Sequence, residues 1–258
     1  MAYMKNYSVS GKSKGILAFA NNSPTVDYER IANKTLQLAS RSLGLPVHLV
    51  MGQKQENWRN TRYDIDQKKT VVWNNFNRYE AWEQTPFEQT LVIDVDYLIT
   101  TQRLLGLFDG PQDLILCHKN EMLFKPTLDV TALTPVWATV FYFRKTPRTR
   151  LFFELVGRIQ RNWEYYRVLF GITELRFRND YAFAMAEIII SGYNRTSATD
   201  MPFGIVTADE ALTDIQINTD WMTVRKEDQA LVLPRTDLHV MSKEWLQSSK
   251  LEKFICEA

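Results

Sequence analysis

The chain has 258 residues, 45% of them apolar, enough to bury one sizeable core. It carries 31 basic and 30 acidic side chains, so a net charge of +1 excludes any global field that would draw in a polyanion; such attraction has to be local. Two distant cysteines, Cys117 and Cys256, exclude a disulfide framework or a zinc knuckle and point to a reducing cytoplasmic setting.

Residues 1–13 read as a loose, polar and basic tail without an export signal. The apolar run after it is too short for a membrane span, so no membrane partner is expected. Residues 15–20 (GILAFA) predict a buried strand that ends in the polar turn Asn21-Asn22-Ser23-Pro24. Asp27 is a good N-cap, and Tyr28, Ala32, Leu36, Ala39 and Leu43 recur at helical spacing until Gly44 stops the helix. Residues 46–51 form a second strand, and this βαβ opening predicts a parallel sheet. Residues 52–69 are a polar surface excursion, 70–74 a third strand and 78–82 a short helical segment. Residues 90–99 (TLVIDVDYLI) make the most apolar strand, interrupted only by Asp94 and Asp96. Further strands are expected at 113–118 and 136–143. An amphipathic helix over 151–166 carries Phe152, Leu155, Ile159, Trp163 and Tyr166 on one stripe, and 180–193 forms another helix. Short strands follow from Asp214, with a weak helix after Ser242. The pattern is α/β: one domain over 14–258, a mostly parallel sheet with helices on both faces, and a smaller mixed C-terminal part.

Several nucleotide-binding and hydrolytic fingerprints are absent. The sequence has no GxGxxG, no GxxxxGK[ST], no HExxH and no GxSxG. What stands out is the aspartate pair. Ionised carboxylates are costly to bury unless paired or bound to metal. Ligands of open α/β sheets sit beyond the carboxyl ends of the strands, and residues i and i+2 of a strand share a face. Asp94 and Asp96 there suit Mg²⁺ or Mn²⁺, which take hard oxygen ligands and complete their shells with phosphate and water. With 15 aspartates, about one D-x-D arises by chance. Asp64-Ile65-Asp66 is such a case: it lies among polar residues and reads as a solvated loop. The buried context LVID-V-D sets the second pair apart.

A βαβ start, no glycine-rich loop and an aspartate pair ending a central strand resemble the GT-A fold of nucleotide-sugar glycosyltransferases. GILAFANN ends its strand where that fold binds the nucleoside, which implicates Ala20, Asn21 and Asn22. LHVMSKEWL (238–246) resembles the late His-x-x-x-Lys-x-Trp segment of some retaining members, without its usual glycine and proline. The resemblance implies that Asp96 and His239 ligate a metal, that Asp94 holds the ribose or a metal-bound water, and that Lys243 clamps the diphosphate. Arg78, directly after a strand, is the next cation candidate; its plain reading is a surface ion pair. Residues 14–125 would then form the nucleotide-sugar half and 126–258 the acceptor half. WNNFNRYEAWEQTPFEQTLVIDVDYLI (73–99) is similar to a segment of bacteriophage-encoded GT-A proteins, some associated with glycosylating hydroxymethylcytosine in DNA, including with arabinose. That implies a site of action in the host cytoplasm.

Between Arg144 and Arg178 lie nine basic residues against Glu154, Glu164 and Glu174. Arg144, Lys145, Arg148, Arg150, Arg158 and Arg161 suit a phosphate backbone, so double-stranded DNA is the expected acceptor partner. The plain reading is a solvated basic face balanced by acidic residues between 200 and 220. Trp163, Tyr165 and Tyr166 read as core. Asp180 opens an apolar helix, either as its N-cap or, as the resemblance implies, as the catalytic acidic residue that faces the acceptor and serves as base or orienter; the two roles are compatible. A glycosyltransferase acting on a glycan, lipid or protein, a nucleotidyltransferase, and an inactive DNA-binding accessory protein are the alternatives.

Overall fold

Apolar runs without polar alternation need cover on both faces, and three of them form the middle of the main sheet. They are β1 (Lys14–Ala20), β5 (Gln89–Ile93) and β9 (Val140–Arg144). The computed structural model describes residues 13–52, 61–64, 69–72, 77–124, 133, 135–193 and 199–258. With β2 (Val47–Met51), β7 (Leu114–Leu116) and β10 (Thr199–Asp200), the sheet runs β10-β7-β9-β5-β1-β2. All pairings are parallel except the two that β9 makes. Side chains of β1 alternate between two cores. Ile16, Ala18 and Ala20 pack with Ile31, Leu36 and Ala39 of α1 (Tyr28–Leu43). Leu17 packs on the other face with Phe152 and Val156 of α3 (Pro147–Arg161) and Phe183 of α5 (Asn179–Ile190). This is an α/β fold with helices on both faces, as the periodicities predict.

Among the described residues, three smaller sheets accompany the main one. A hairpin pairs β3 (Thr61–Asp64) with β4 (Lys69–Val72). A second sheet runs β6-β15-β11-β8, built from Tyr97–Leu98, Leu238–Val240, Ile205–Ala208 and Asn120–Met122. The third is antiparallel, β12-β13-β14, from Asp214–Ile217, Trp221–Lys226 and Gln229–Pro234. The chain closes with α6 (Lys243–Gln247) and α7 (Ser249–Glu257).

Local signals placed α1 well. The Asp27 side chain caps it by accepting from the Arg30 N–H, and Gly44 ends it at φ 65°, a left-handed conformation that glycine adopts without strain. Five expectations need correction. The strand over 90–99 is two: β5 stops at Ile93, the chain turns through Asp94-Val95-Asp96 with the Tyr97 N–H on the Asp94 carbonyl at 3.1 Å, and β6 joins a different sheet. Two carboxylates that need solvent, metal or cations end the ladder. The helix over 151–166 starts at Pro147 and breaks at Asn162, after which α4 (Trp163–Leu169) begins. Asp180 is no N-cap; Arg178 takes that position. Tyr165 is 65% exposed on α4, whereas Trp163 is buried as expected. Asp64 lies in β3 rather than in a loop, and the loose tail, the 53–60 excursion, Asp66 and residues 73–74 lie outside the described residues.

Because β9 is antiparallel to β5, Val140 sits beside Ile93 and Arg144 beside Gln89. The chain therefore leaves β9 at the edge opposite Asp94, and α3 returns it. Gly157 fixes how closely α3 meets the segment before β5: a Cβ there would lie 2.8 Å from the Tyr79 ring. That approach seats the 3₁₀ turn Arg78–Glu80 and the short α2 (Ala81–Gln84) against the helix. Gly157→Val gains helix propensity of about 0.5 kcal/mol but overpacks a tight contact at about 1–3 kcal/mol. It should lower stability by roughly 2 kcal/mol in urea unfolding and displace Arg78 with its neighbour.

Candidate metal centre and donor site

The turn after β5 and the pairing of β6 with β15 bring distant residues together. His239 lies opposite Tyr97 in that antiparallel pair, and the Val240 N–H donates to the Asp96 carbonyl at 2.9 Å. Asp94, Asp96 and His239 thereby converge, with one ligating atom from each within 4.8 Å of the others. Asp96 is the most constrained. Its Oδ2 pairs closely with Lys243 Nζ, and its Oδ1 lies 3.6 Å from His239 Nε2, too far for a hydrogen bond. Oδ1 is buried with no hydrogen-bond partner among the described residues. A buried, unmet carboxylate oxygen beside a second carboxylate and an imidazole nitrogen is the donor set that suits a hard or borderline divalent cation. A divalent cation fits here on the chemistry of these atoms.

The electrostatics agree. Burial alone would raise the Asp96 pKa, but Lys243 and then His239 outweigh it and hold the carboxyl well below the usual range. Burial likewise works against the Lys243 ammonium, and Asp96 more than restores it, so its pKa is raised. Tyr28, at the start of α1, stacks its ring 5.9 Å from Lys243 Nζ. Lys243 opens α6, whose N-cap Ser242 accepts from the Trp245 N–H.

Arg78 is 2% exposed and forms a close ion pair with Asp94, while its Nη1 donates to the Ala138 carbonyl at 2.9 Å. It is a buried partner of the acidic turn rather than a surface ion pair. Burial pushes its pKa down to about 10 against the pull of Asp96 and Asp180, so it stays charged at neutral pH. The Ala138 N–H donates to Asp180 Oδ1 at 3.2 Å, and Asp180 Oδ2 accepts from Arg178 at 2.7 Å. One peptide segment thus links Asp94, through Arg78 and Ala138, to Asp180. At the end of β1, Ala20 is buried and its carbonyl accepts from the Gly52 N–H at 3.0 Å. Asn22 Oδ1 caps the Glu29 N–H at 2.9 Å, and the Asn21 side chain lies against Gly52.

The basic segment divides. Arg144, Lys145, Arg148 and Arg150 sit at the far edge, about 17 Å from Asp94 by five strand residues. Arg144 donates to Tyr142 Oη at 3.0 Å, Lys145 and Arg150 flank the Trp82 ring at 5.0 and 5.4 Å, and Arg150 pairs with Glu154 at 3.1 Å. Arg158 and Arg161 are exposed on the last turns of α3, at the Asp94 edge, with Arg161 5.9 Å from the ring of Tyr79.

Sequence reasoning missed three polar residues behind the metal set. Asp237 is 0% exposed and accepts from the Thr100 N–H, Thr101 N–H, Thr101 Oγ1 and Arg103 Nε at 2.8–3.0 Å. It pins the chain after β6 to the start of β15. Thr207 and Asn120 stand behind His239. Only the position of Asp237, two residues before His239, was a signal.

This fold is that of the GT-A glycosyltransferases. An active-site mutant of LgtC is similar over 93% of this chain and 93% of that one, with a TM-score of 0.50 and 12% identity. The glycosyltransferase GlyE of Streptococcus pneumoniae TIGR4 aligns over 74% of this chain with a TM-score of 0.43 and 12% identity, and the aligned part spans 46% of GlyE. A glycosyltransferase involved in glycosylation of the major capsid of PBCV-1 aligns over 74% of this chain and 82% of its own, with a TM-score of 0.38 and 12% identity. No protein-family model and no curated protein matches the sequence. No helix among the described residues is long and apolar enough to cross a membrane.

Arg78→Ala should cost about 3 kcal/mol, because it leaves Asp94 without its buried cation. Urea unfolding measures this, and added Mn²⁺ should recover more stability in the variant than in the unaltered chain.

Proposed function

We propose that this chain is a metal-dependent glycosyltransferase that moves a sugar from a nucleoside diphosphate donor to an acceptor hydroxyl. One observation carries the reading: Asp94, Asp96 and His239 converge around an unmet buried oxygen at the carboxyl edge of a GT-A sheet. Asp94, Asp96 and His239 would hold Mn²⁺ or Mg²⁺. When bound, the metal supplies neutralisation of charge on the departing diphosphate. Lys243, beside Asp96, supplies a second cation for that diphosphate. Ala20, Asn21 and Asn22 line the end of β1, where the nucleoside would lie. Arg78, in its close ion pair, holds Asp94 in place. Asp180, anchored by Ala138 and Arg178, would face the acceptor and orient its hydroxyl. In this reading residues 14–125 carry most of the donor site and 126–258 the acceptor side, with His239 and Lys243 crossing between them.

For the acceptor the proposal is 5-hydroxymethylcytosine in bacteriophage DNA, with the host cytoplasm as its setting: the resemblance of residues 73–99 suggests the modified base, and the basic segment supports contact with a phosphate backbone only. The exposed arginines at the active edge, Arg158 and Arg161, suit phosphate contact. A second reading, a glycan or lipid acceptor, is favoured by the apolar side chains Val168, Leu169 and Leu175, which are exposed on and after α4.

Asp96→Ala should abolish metal-dependent hydrolysis or transfer across a panel of nucleotide sugars; unchanged turnover sinks the proposal. For the acceptor, reversing Arg158 and Arg161 to glutamate should weaken duplex DNA binding at low salt. Reversing Arg148 and Arg150 should leave transfer to DNA largely intact, given their place at the far edge. Full DNA binding by the Arg158/Arg161 variant would favour the glycan or lipid acceptor.

A further inference from the structure

We infer that Thr207 and Asn120 are positioning residues that hold His239 in the tautomer whose Nε2 is free to take a metal. This rests on the metal-dependent reading above. β11 and β15 are parallel neighbours in which Thr207 lies opposite His239, and β8 flanks β11 on the other side with Asn120 opposite Ile205. Asn120 is thus two positions from Met122, the partner of Thr207, and on the same face; hydrogen-bond distances link the three side chains across adjacent strands, with Thr207 in the middle 1% exposed.

A hydroxyl has one proton to give. Thr207 Oγ1 donates it to Asn120 Oδ1 at 2.6 Å, so towards His239 Nδ1, 3.3 Å away, it can only accept. The proton of a neutral imidazole then belongs on Nδ1. Nε2 keeps its lone pair on the side of Asp96, where the ligand set converges. The other tautomer would turn an N–H into the ligand set and set the Nδ1 lone pair against those of Thr207. Asn120 decides between them. Its amide oxygen faces Thr207 while its Nδ2 is buried without a hydrogen-bond partner among the described residues. A reversed amide would donate to Thr207, make the hydroxyl a donor to Nδ1 and select the wrong tautomer. Hydrogen bonds to the far nitrogen of a ligating histidine fix both ring orientation and proton position.

The test is Mn²⁺ binding to the full chain, followed by the electron paramagnetic resonance of the free ion. Thr207→Val keeps the side-chain volume and removes the hydroxyl, and should weaken Mn²⁺ binding by about 10–100-fold. Thr207→Ser should restore most of the affinity. Asn120→Leu should weaken binding in the same direction, while Asn120→Asp, still an acceptor, should not. Metal-free urea unfolding reports whether each variant is folded; if Thr207→Val is not, the Asn120 pair carries the comparison. Folded variants that bind Mn²⁺ as tightly as the unaltered chain overturn the relay and leave the metal site standing. A loss that Thr207→Ser does not recover also overturns it, since packing would then be the cause. An unaltered chain that binds no Mn²⁺ overturns the metal-dependent reading itself, and the relay with it.

Discussion

Two carboxylates at the end of a buried strand must be compensated, and the way this is done shapes the surroundings. Asp94 is 15% exposed and Asp96 13%. Each keeps only part of its hydration, and an unpaired charge in such a place is costly. Asp94 is met by Arg78 from the segment before β5, and Asp96 by Lys243 from the start of α6. Three parts of the chain, near residues 78, 95 and 240, are thereby tied to one point. A third buried carboxylate, Asp237, fastens β15 to the turn after β6, so His239 arrives with its backbone already fixed. Such pairs add little stability over apolar packing, but breaking one is costly, so they specify arrangement more than they strengthen it.

How much of this was legible depends on whether the signal was local. The buried runs of β1 and β5, the capped α1 with its closing glycine and the aspartate pair are all contiguous, and simple periodicity finds them. The strand break at Asp94 was misread because LVIDVDYLI keeps its apolar character on both sides of the turn. Only the charge cost of the aspartates, weighed against strand continuity, points to a break. The reversed direction of β9 left no trace, since VFYFR would read the same in either orientation. Arg78 looked like a surface cation because its partner lies sixteen residues on, across a turn. Thr207 and Asn120 are ordinary polar residues whose meaning appears only when β8, β11 and β15 are laid side by side.

The direction of β9 changes what the basic segment means. Read along the sequence, the positions between 144 and 161 look like one continuous patch. In space they are spread along the length of a strand and a returning helix. The far group is engaged with Trp82, Glu154 and Tyr142, contacts that fix the return of the chain into α3. What remains at the active edge is mixed: Arg158 and Arg161 from α3, beside the exposed Tyr165, Val168 and Leu169 of α4. If the proposed DNA acceptor binds there, a surface of that kind would hold it by contact area as well as by charge, so the salt dependence should be shallower than that of a pure phosphate-tracking stripe.

Charge balance also joins the two halves of the proposed donor site. Asp94 and Asp96 are offset by Arg78 and Lys243, so the cluster is close to neutral as it stands. A divalent cation alone would leave it positive, and a diphosphate alone would leave it negative. The two together restore the balance in a site where uncompensated charge is most costly. In the proposed donor site each would therefore improve the other's binding, a reciprocal coupling that would follow from the buried charges without any movement of the fold. The proposed third ligand, His239, is an imidazole rather than a third carboxylate, so it would add no further negative charge beside Asp94 and Asp96.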